Sequence, residues 1–103
     1  MHVYLEFEAG AWIREHGGAV YLWDDDFGNF GLDRLATEDP GGIEFEPHYA
    51  GEGVTVFVDA RLEPPQALRV ELRRRPFRGL RVYWDGLRWG ARGSAADGDG
   101  GGG

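Results

Sequence analysis

The sequence predicts an α+β domain rich in β-structure, arranged as two small packed sheets or a flattened barrel of about six to seven strands with one short helix. Three observations favour this class. Several short segments alternate apolar and polar residues, which is the period of a half-buried strand. Only one segment has the spacing of an amphipathic helix, and glycine and proline separate the segments. A chain of 103 residues has the size of one domain.

The N-terminal part of the chain predicts a strand, a helix and a second strand. Residues 2–8 alternate, with Phe7 on the apolar face, and predict the first strand. Apolar residues recur at helical spacing over residues 9–16, and the Gly-Gly pair that follows ends the predicted two-turn helix. The short aromatic run at residues 19–23 predicts the second strand.

The middle of the chain predicts one further strand and a hairpin. Residues 32–37 suit either a helical turn or a strand leaving the preceding loop, and a strand is favoured because a Pro-Gly-Gly stop follows closely. Residues 43–46 alternate, and residues 54–58 are rich in β-branched side chains. We expect these two segments to pair as a hairpin.

The last part of the chain predicts an antiparallel arm followed by a tail. Residues 67–73 and 79–84 alternate, which places Trp84 on the inner face of the arm. Residues 93–103 are a low-complexity stretch dominated by glycine. We therefore expect a folded domain over residues 1–92 and a disordered tail over residues 93–103.

Composition argues against several classes of function. The chain has no Cys, so it forms no disulfide, thiolate metal site or cysteine nucleophile. It has no Lys, and its only Ser is Ser94 in the tail, so neither a Schiff base nor a serine triad can be assembled. We expect no enzyme activity and no cofactor. The acidic N-terminal segment is unlike a signal peptide and no apolar run reaches about 18 residues, so we expect a cytoplasmic protein without membrane contact.

An acidic corner is the first candidate site. Asp24, Asp25 and Asp26 precede Phe27 and together form a candidate binding surface. Carboxylates bind hard cations, but this run lacks the ligand spacing of a calcium loop, so a solvated corner is favoured. Histidine ligands could meet only through the fold, since the three histidines are far apart in sequence: His2, His16 and His48. We assign no metal site.

An arginine-rich arm is the alternative site. It carries aromatic residues between the cations, the combination that binds single-stranded nucleic acid, at Arg73, Arg74, Arg75 and Arg78. The net charge of −7 argues against a nucleic acid, although an acidic partner remains an alternative. Residues 1–60 carry 13 acids and two arginines, whereas residues 61–103 carry five acids and nine arginines. This asymmetry suits either intramolecular strand pairing or a binding role.

The order of the elements resembles the HesB-like domain of the A-type iron–sulfur carrier proteins over about residues 1–86. The resemblance rests on five pieces, at residues 9–18, 20–22, 53–59, 67–72 and 79–84. The family's first cluster-binding cysteine lies in a Gly-Cys-Ser-Gly corner, and the corner that matches it here is Gly28-Asn29-Phe30-Gly31.

The resemblance implies a HesB-like fold and a role related to iron–sulfur metabolism. Asn29 stands at the position of the family's first cysteine, and only the glycine-rich tail follows Trp89 where the family has a Cys-Gly-Cys pair. The chain is similar to HesB-like relatives that lack the cysteines. The resemblance therefore implies a non-enzymatic accessory or binding protein that holds no cluster, with an unknown protein partner and an open oligomeric state.

Overall fold

The computed structural model describes residues 1–25 and 32–89. Its elements, in chain order, are β1 (His2–Leu5), α1 (Phe7–Glu15), β2 (Ala19–Asp25), β3 (Leu32–Ala36), β4 (Phe45–Gly51), β5 (Val54–Asp59), β6 (Ala67–Arg73), β7 (Gly79–Trp84) and β8 (Leu87–Arg88). Within these two ranges, no helix has the length and apolar character that a membrane crossing requires.

The strands form two mixed sheets of four strands each. The first sheet has the order β1-β6-β7-β8 and the second has the order β3-β2-β5-β4. Each sheet contains one parallel pair of strands. This pair is β1 with β6 in the first sheet and β2 with β5 in the second. The predicted β-rich class is confirmed in the form of two sheets. The described residues contain eight strands rather than the predicted six or seven, because β8 has only two residues and no readable period.

The core lies between the two sheets. Strands β2 and β5 contribute one wall and strands β6 and β7 the other, through alternate residues that are almost fully buried: Val20, Leu22, Val54, Val56, Val58, Leu68, Val70, Leu72 and Val82. Helix α1 adds Ala9 and Ile13 to this core. Because side chains alternate along a strand, the residues between these positions point outward, which is what creates an outer face on the second sheet.

The predicted first strand is too long. Strand β1 ends at Leu5 and α1 begins at Phe7, so Phe7 is 82% exposed instead of lying on the apolar face. The chain turns at Glu6, whose backbone N–H donates to the carbonyl of Val70 and whose Oε1 accepts the N–H of Leu72 at 2.7 Å. These bonds fix Glu6 against β6 and allow the helix to start two residues earlier than predicted.

The other predicted elements agree with the structure apart from their ends. Strand β3 forms within residues 32–37, where the sequence suited a helical turn or a strand and a strand was favoured. Strands β4 and β5 pair antiparallel as the predicted hairpin, although β4 begins at Phe45 rather than at Ile43. Strands β6 and β7 form the predicted antiparallel arm. Trp84 packs against the core, as its alternation predicted.

Candidate functional site

The acidic corner lies where β2 ends. Asp24 and Asp25 are the last residues of β2, and both side chains are partly buried. Asp25 forms an ion pair with Arg34 of β3, with 3.4 Å between its Oδ2 and the guanidinium Nε. The rest of the predicted corner lies outside the described residues, namely Asp26, Phe27 and the segment Gly28-Asn29-Phe30-Gly31.

A buried carboxylate stands beside this corner at the end of β5. Asp59 is 1% exposed. Its Oδ1 accepts the backbone N–H and the Nε–H of Arg61, and its Oδ2 accepts the Nη2 of Arg61 at 2.7 Å. The backbone N–H of Asp24 also donates to Asp59 Oδ2, and Arg61 Nη2 donates to the carbonyl of Asp24 at 2.7 Å. This network joins the ends of the parallel strands β2 and β5.

The network sets the protonation of Asp59. Burial by itself would raise the pKa of this carboxyl, because a charged group is less stable away from water. The hydrogen bonds from Arg61 and from the backbone of Asp24, together with the positive charge of Arg61, outweigh that effect and lower the pKa below its ordinary value. Asp59 is therefore a structural carboxylate that is charged at neutral pH and bonds to Arg61.

A cavity of about 480 Å³ opens next to this network. We call it the acidic cavity, and its lining consists of Trp23, Asp24, Asp25, Pro40, Gly41, Gly42, Ile43, Glu44 and Arg61. One side is the end of β2, and the other is the turn before β4. In that turn, Gly41 and Gly42 both have positive φ angles, 82° and 77°, and the Gly41 N–H donates to Asp39 Oδ1 at 2.8 Å. Glycine is needed here because other residues rarely adopt this backbone conformation.

The charge of the acidic cavity is negative. Asp24, Asp25 and Glu44 line it, with Arg61 as the one cation among its described lining residues. Arg61 is already neutralised by Asp59, and Asp25 is neutralised by Arg34. Glu44 is exposed, and its backbone carbonyl accepts the N–H of Ala60 at 2.8 Å, which fixes the turn against the end of β5. The cavity therefore favours a cationic ligand.

An aromatic surface continues from the acidic cavity along the outer face of the second sheet. Tyr21 and Phe57 stack at 4.8 Å between ring centroids, and Phe45 packs edge-on against Tyr21 at 5.2 Å. Trp23 packs edge-on against Phe45 at 6.3 Å and also lines the cavity. These four rings, which we call the aromatic face, are only partly buried. Their accessible edges form a continuous, partly exposed aromatic surface next to the cavity.

The predicted arginine arm forms the turn between β6 and β7. Arg73 ends β6, and its Nε–H donates to the carbonyl of Phe77 at 3.2 Å. Arg74 pairs with Glu8 in the first turn of α1. Arg75 and Arg78 are exposed in the turn itself. The structure thus brings the four predicted arginines together, at a different place from the acidic corner.

The three histidines lie on or next to three different elements. His2 is at the start of β1, and His48 is in β4, opposite Val56 of the neighbouring strand. His16 follows α1, where its ring stacks on Trp12 at 3.8 Å and its Nδ1 lies 2.7 Å from the Trp12 carbonyl. Within residues 1–25 and 32–89, no group of three or more histidine, aspartate and glutamate side chains is arranged to hold a metal ion.

Sequence reasoning identified Asp24 and Asp25 but missed the rest of the acidic cavity. Asp59 follows an apolar run and precedes Arg61 by two residues, a spacing that allows a charged pair at the end of a strand. That spacing could have drawn attention to the pair. Glu44 and the glycine turn gave no comparable signal, because they reach Trp23 only through the pairing of β4 with β5 and of β5 with β2.

Comparisons with known proteins give no family for this chain. No protein-family model matches the sequence. No curated protein and no solved structure matches it either.

Proposed function

We propose that this chain is a non-enzymatic binding module that holds a basic segment of a partner protein in the acidic cavity. The observation that carries the proposal is the position of Trp23, which lines the same cavity as Glu44. An arginine guanidinium stacks on an indole ring and also pairs with carboxylates. The cavity volume of about 480 Å³ lies in the range of ligand-binding clefts.

The aromatic face extends this site. When Glu44 binds a cationic side chain of the partner, the adjacent residues of the partner lie beside Trp23 and Phe45. Apolar groups on those partner residues can then cover the partly buried rings. Aromatic residues are the type that most often dominates the energy of protein interfaces. The proposal therefore predicts a ligand with cationic and apolar side chains close together.

Two observations support a role without catalysis. The only hydroxyl nucleophiles of the Ser/Thr type in the sequence are Ser94 in the glycine-rich segment, Thr37 and Thr55, and the sequence has no cysteine or lysine. The carboxylate of Asp59 is occupied by hydrogen bonds from Arg61 and Asp24, so it serves the fold. A site made of an indole ring, carboxylates and a rigid turn is suited to recognition.

The HesB-like resemblance adds a biological process, iron–sulfur metabolism, to the proposal. The pieces that carry it fall on single elements: α1 with the turn after it, β2, β5, β6 and β7. We therefore include in the proposal an accessory role related to iron–sulfur metabolism, in which the chain binds a protein and holds no cluster. The cysteine-free sequence is what supports the second half of that statement.

The test is a titration with model peptides. A short peptide of alternating Arg and Gly, and a matched peptide with Gln in place of Arg, are added while Trp fluorescence and calorimetric heat are recorded. We expect saturable binding of the Arg peptide that weakens with salt, since the contact is electrostatic. Equal heats for both peptides would overturn the proposal.

Substitutions in the acidic cavity test whether the Arg peptide binds there. Glu44→Gln should weaken the Arg peptide about fivefold, the effect of losing about 1 kcal/mol. Trp23→Leu should weaken it by a similar factor through loss of cation–π contact. Glu38→Gln is the matched control, because Glu38 is exposed and does not line the cavity. If Glu38→Gln and Glu44→Gln had the same effect, the peptide would be responding to overall charge and the assignment to this cavity would fall.

A further inference from the structure

The turn between β6 and β7 is the most basic feature of the described surface. Residues 73–78, which we call the arginine tip, have the sequence Arg-Arg-Arg-Pro-Phe-Arg. Phe77 is 75% exposed at this tip, between the exposed side chains of Arg75 and Arg78. An apolar ring displayed between two cations has no role in the core of this chain. The ring and the two guanidinium groups beside it in sequence are therefore accessible to a partner.

The tip is partly fixed by the rest of the fold. Arg73 donates to the carbonyl of Phe77, and Arg74 pairs with Glu8 of α1. These two arginines are therefore occupied with holding the shape of the turn. Arg75 and Arg78 form no ion pair within residues 1–25 and 32–89, so their charges are available to an external ligand.

The arginine tip and the acidic cavity are separate surfaces of the molecule. Arg73 shares a cleft with Ala36, and Ala36 pairs with Tyr21 near the start of β2. The acidic cavity includes Asp24 and Asp25 at the other end of β2. Tyr21 and Asp24 are separated by about 10 Å along the strand, and none of residues 73–78 is among the described residues that line the acidic cavity, so the tip does not fill the cavity of its own copy.

The two surfaces complement each other in chemistry. The cavity is lined by an aromatic residue, Trp23, and an acidic residue, Glu44, whereas the tip carries an aromatic residue, Phe77, and two exposed arginines. We propose that the arginine tip of one copy binds the acidic cavity of a second copy. The proposal rests on the proposed function, because it names the basic segment that the cavity holds.

A contact between unlike surfaces has a geometric consequence. Each copy keeps one unused tip or one unused cavity after the first contact, so the association is head to tail and repeats unless a ring closes. The net charge of −7 opposes close approach of whole copies, so the contact is weak and requires high protein concentration. The same net charge disfavours a polyanion such as nucleic acid as the occupant of the tip.

The experiment measures the mass of the full chain by sedimentation velocity over a range of concentrations. We expect the wild-type protein to gain mass with concentration. A tip variant, Arg75→Glu with Arg78→Glu, and a cavity variant, Glu44→Arg, should each remain monomeric alone. When the two variants are mixed, one intact tip and one intact cavity remain, so we expect a dimer that grows no further.

Matched controls separate the contact from general charge effects. Arg69→Glu with Arg88→Glu changes the net charge as much as the tip variant does, and Glu38→Arg matches the cavity variant. The three control residues, Arg69, Arg88 and Glu38, are exposed, so circular dichroism should show folded protein throughout. Both controls should associate like wild type within about twofold, and loss of association in the controls would overturn the proposal.

A free peptide with the sequence of residues 73–78 distinguishes the two proposals. If it binds the wild-type chain but not Glu44→Arg while the protein stays monomeric, self-association is wrong and the proposed function stands. If it does not bind at all, both are wrong. If the wild-type chain stays monomeric and binds single-stranded DNA with a steep salt dependence that the tip variant loses, the tip serves a nucleic acid and the proposal is overturned.

Discussion

The indole Nε1–H of Trp89 donates a hydrogen bond to the backbone carbonyl of Arg34 at 2.8 Å. Trp89 follows β8 of the first sheet, and Arg34 lies in β3 of the second, so this bond joins the edges of the two sheets. Trp89 also stacks on Trp84 at 4.5 Å, and its backbone N–H donates to Val82 at 2.7 Å. The short strand β8 is thus held in place largely by the residue that follows it.

Trp89→Phe should lower the free energy of unfolding by about 1 kcal/mol, because the ring contact with Trp84 survives while the bond to Arg34 is lost. Urea denaturation measures the change. Tyr49→Phe is the control, since Tyr49 is 73% exposed on an edge strand. Equal stability of Trp89→Phe and wild type would mean that the bond between the sheets contributes nothing.

Asp59→Asn should destabilise the fold by about 2 kcal/mol at neutral pH, the range for hydrogen bonds to a charged group. The value is below that of a fully buried ion pair because the side chain of Arg61 is 56% exposed and screened by water. Glu63→Gln, at an exposed position, is the matched control. An unchanged unfolding midpoint for Asp59→Asn would show that the hydrogen bonds of Asp59 do not stabilise the fold.

The same variant has a predicted pH dependence. The pKa of Asp59 is lower in the folded state than in the unfolded chain, so the unfolded state binds a proton first as pH falls. The stabilisation is complete above about pH 5 and is lost as pH falls below about 4, the ordinary range of an aspartate, through the lowered folded pKa. The difference in stability between wild type and Asp59→Asn should therefore shrink with acidification. A difference that grows in acid would contradict the assigned direction.

Gly18→Ala should be strongly destabilising. Gly18 has a φ of 84°, and a Cβ there would lie 2.7 Å from the carbonyl oxygen of Gly53. Gly17 has a φ of 110° but nothing within 4 Å of its Cβ position, so Gly17→Ala separates backbone strain from the clash. We expect about 1 kcal/mol for Gly17→Ala and at least about 2 kcal/mol more for Gly18→Ala. Equal costs in thermal or urea unfolding would show that the turn relaxes around the added methyl group.

The parts of the fold that sequence predicted are those with a strong local period. Strand β5 was evident because β-branched residues alternate from Val54 to Val58 with no competing helical spacing. The parallel pairings of β1 with β6 and β2 with β5 were not predicted, because alternation shows which face is buried and not which strand is adjacent. The end of β1 was also not predicted, because the alternating pattern continues to residue 8. The strand ends earlier because Glu6 bonds to β6, a contact between segments that are distant in sequence.

The candidate site was less predictable than the fold because three distant segments build it. Asp24 and Asp25 were identified from their charge, but Glu44 and Arg61 looked like ordinary surface residues. Arg61 is one of 11 arginines, and only its bond to a buried carboxylate distinguishes it. The arginine tip was visible in the sequence as a cluster, whereas its separation from the acidic cavity came only from the folded structure.

Incubation of the purified chain with ferrous iron and sulfide under anaerobic conditions should leave the protein colourless. Iron–sulfur clusters are held by cysteine thiolates, with histidine as an occasional substitute, and this chain has no cysteine. His2, His16 and His48 do not offer a substitute site, since no group of three or more histidine, aspartate and glutamate side chains within residues 1–25 and 32–89 is arranged to hold a metal. Absorption between about 300 and 500 nm, with iron and sulfide counted after gel filtration, measures the result, and the same mixture without protein is the blank. Stable colour with stoichiometric sulfide bound to the chain would show that carboxylate and imidazole ligands suffice here, and the proposal of a module that holds no cluster would have to be abandoned.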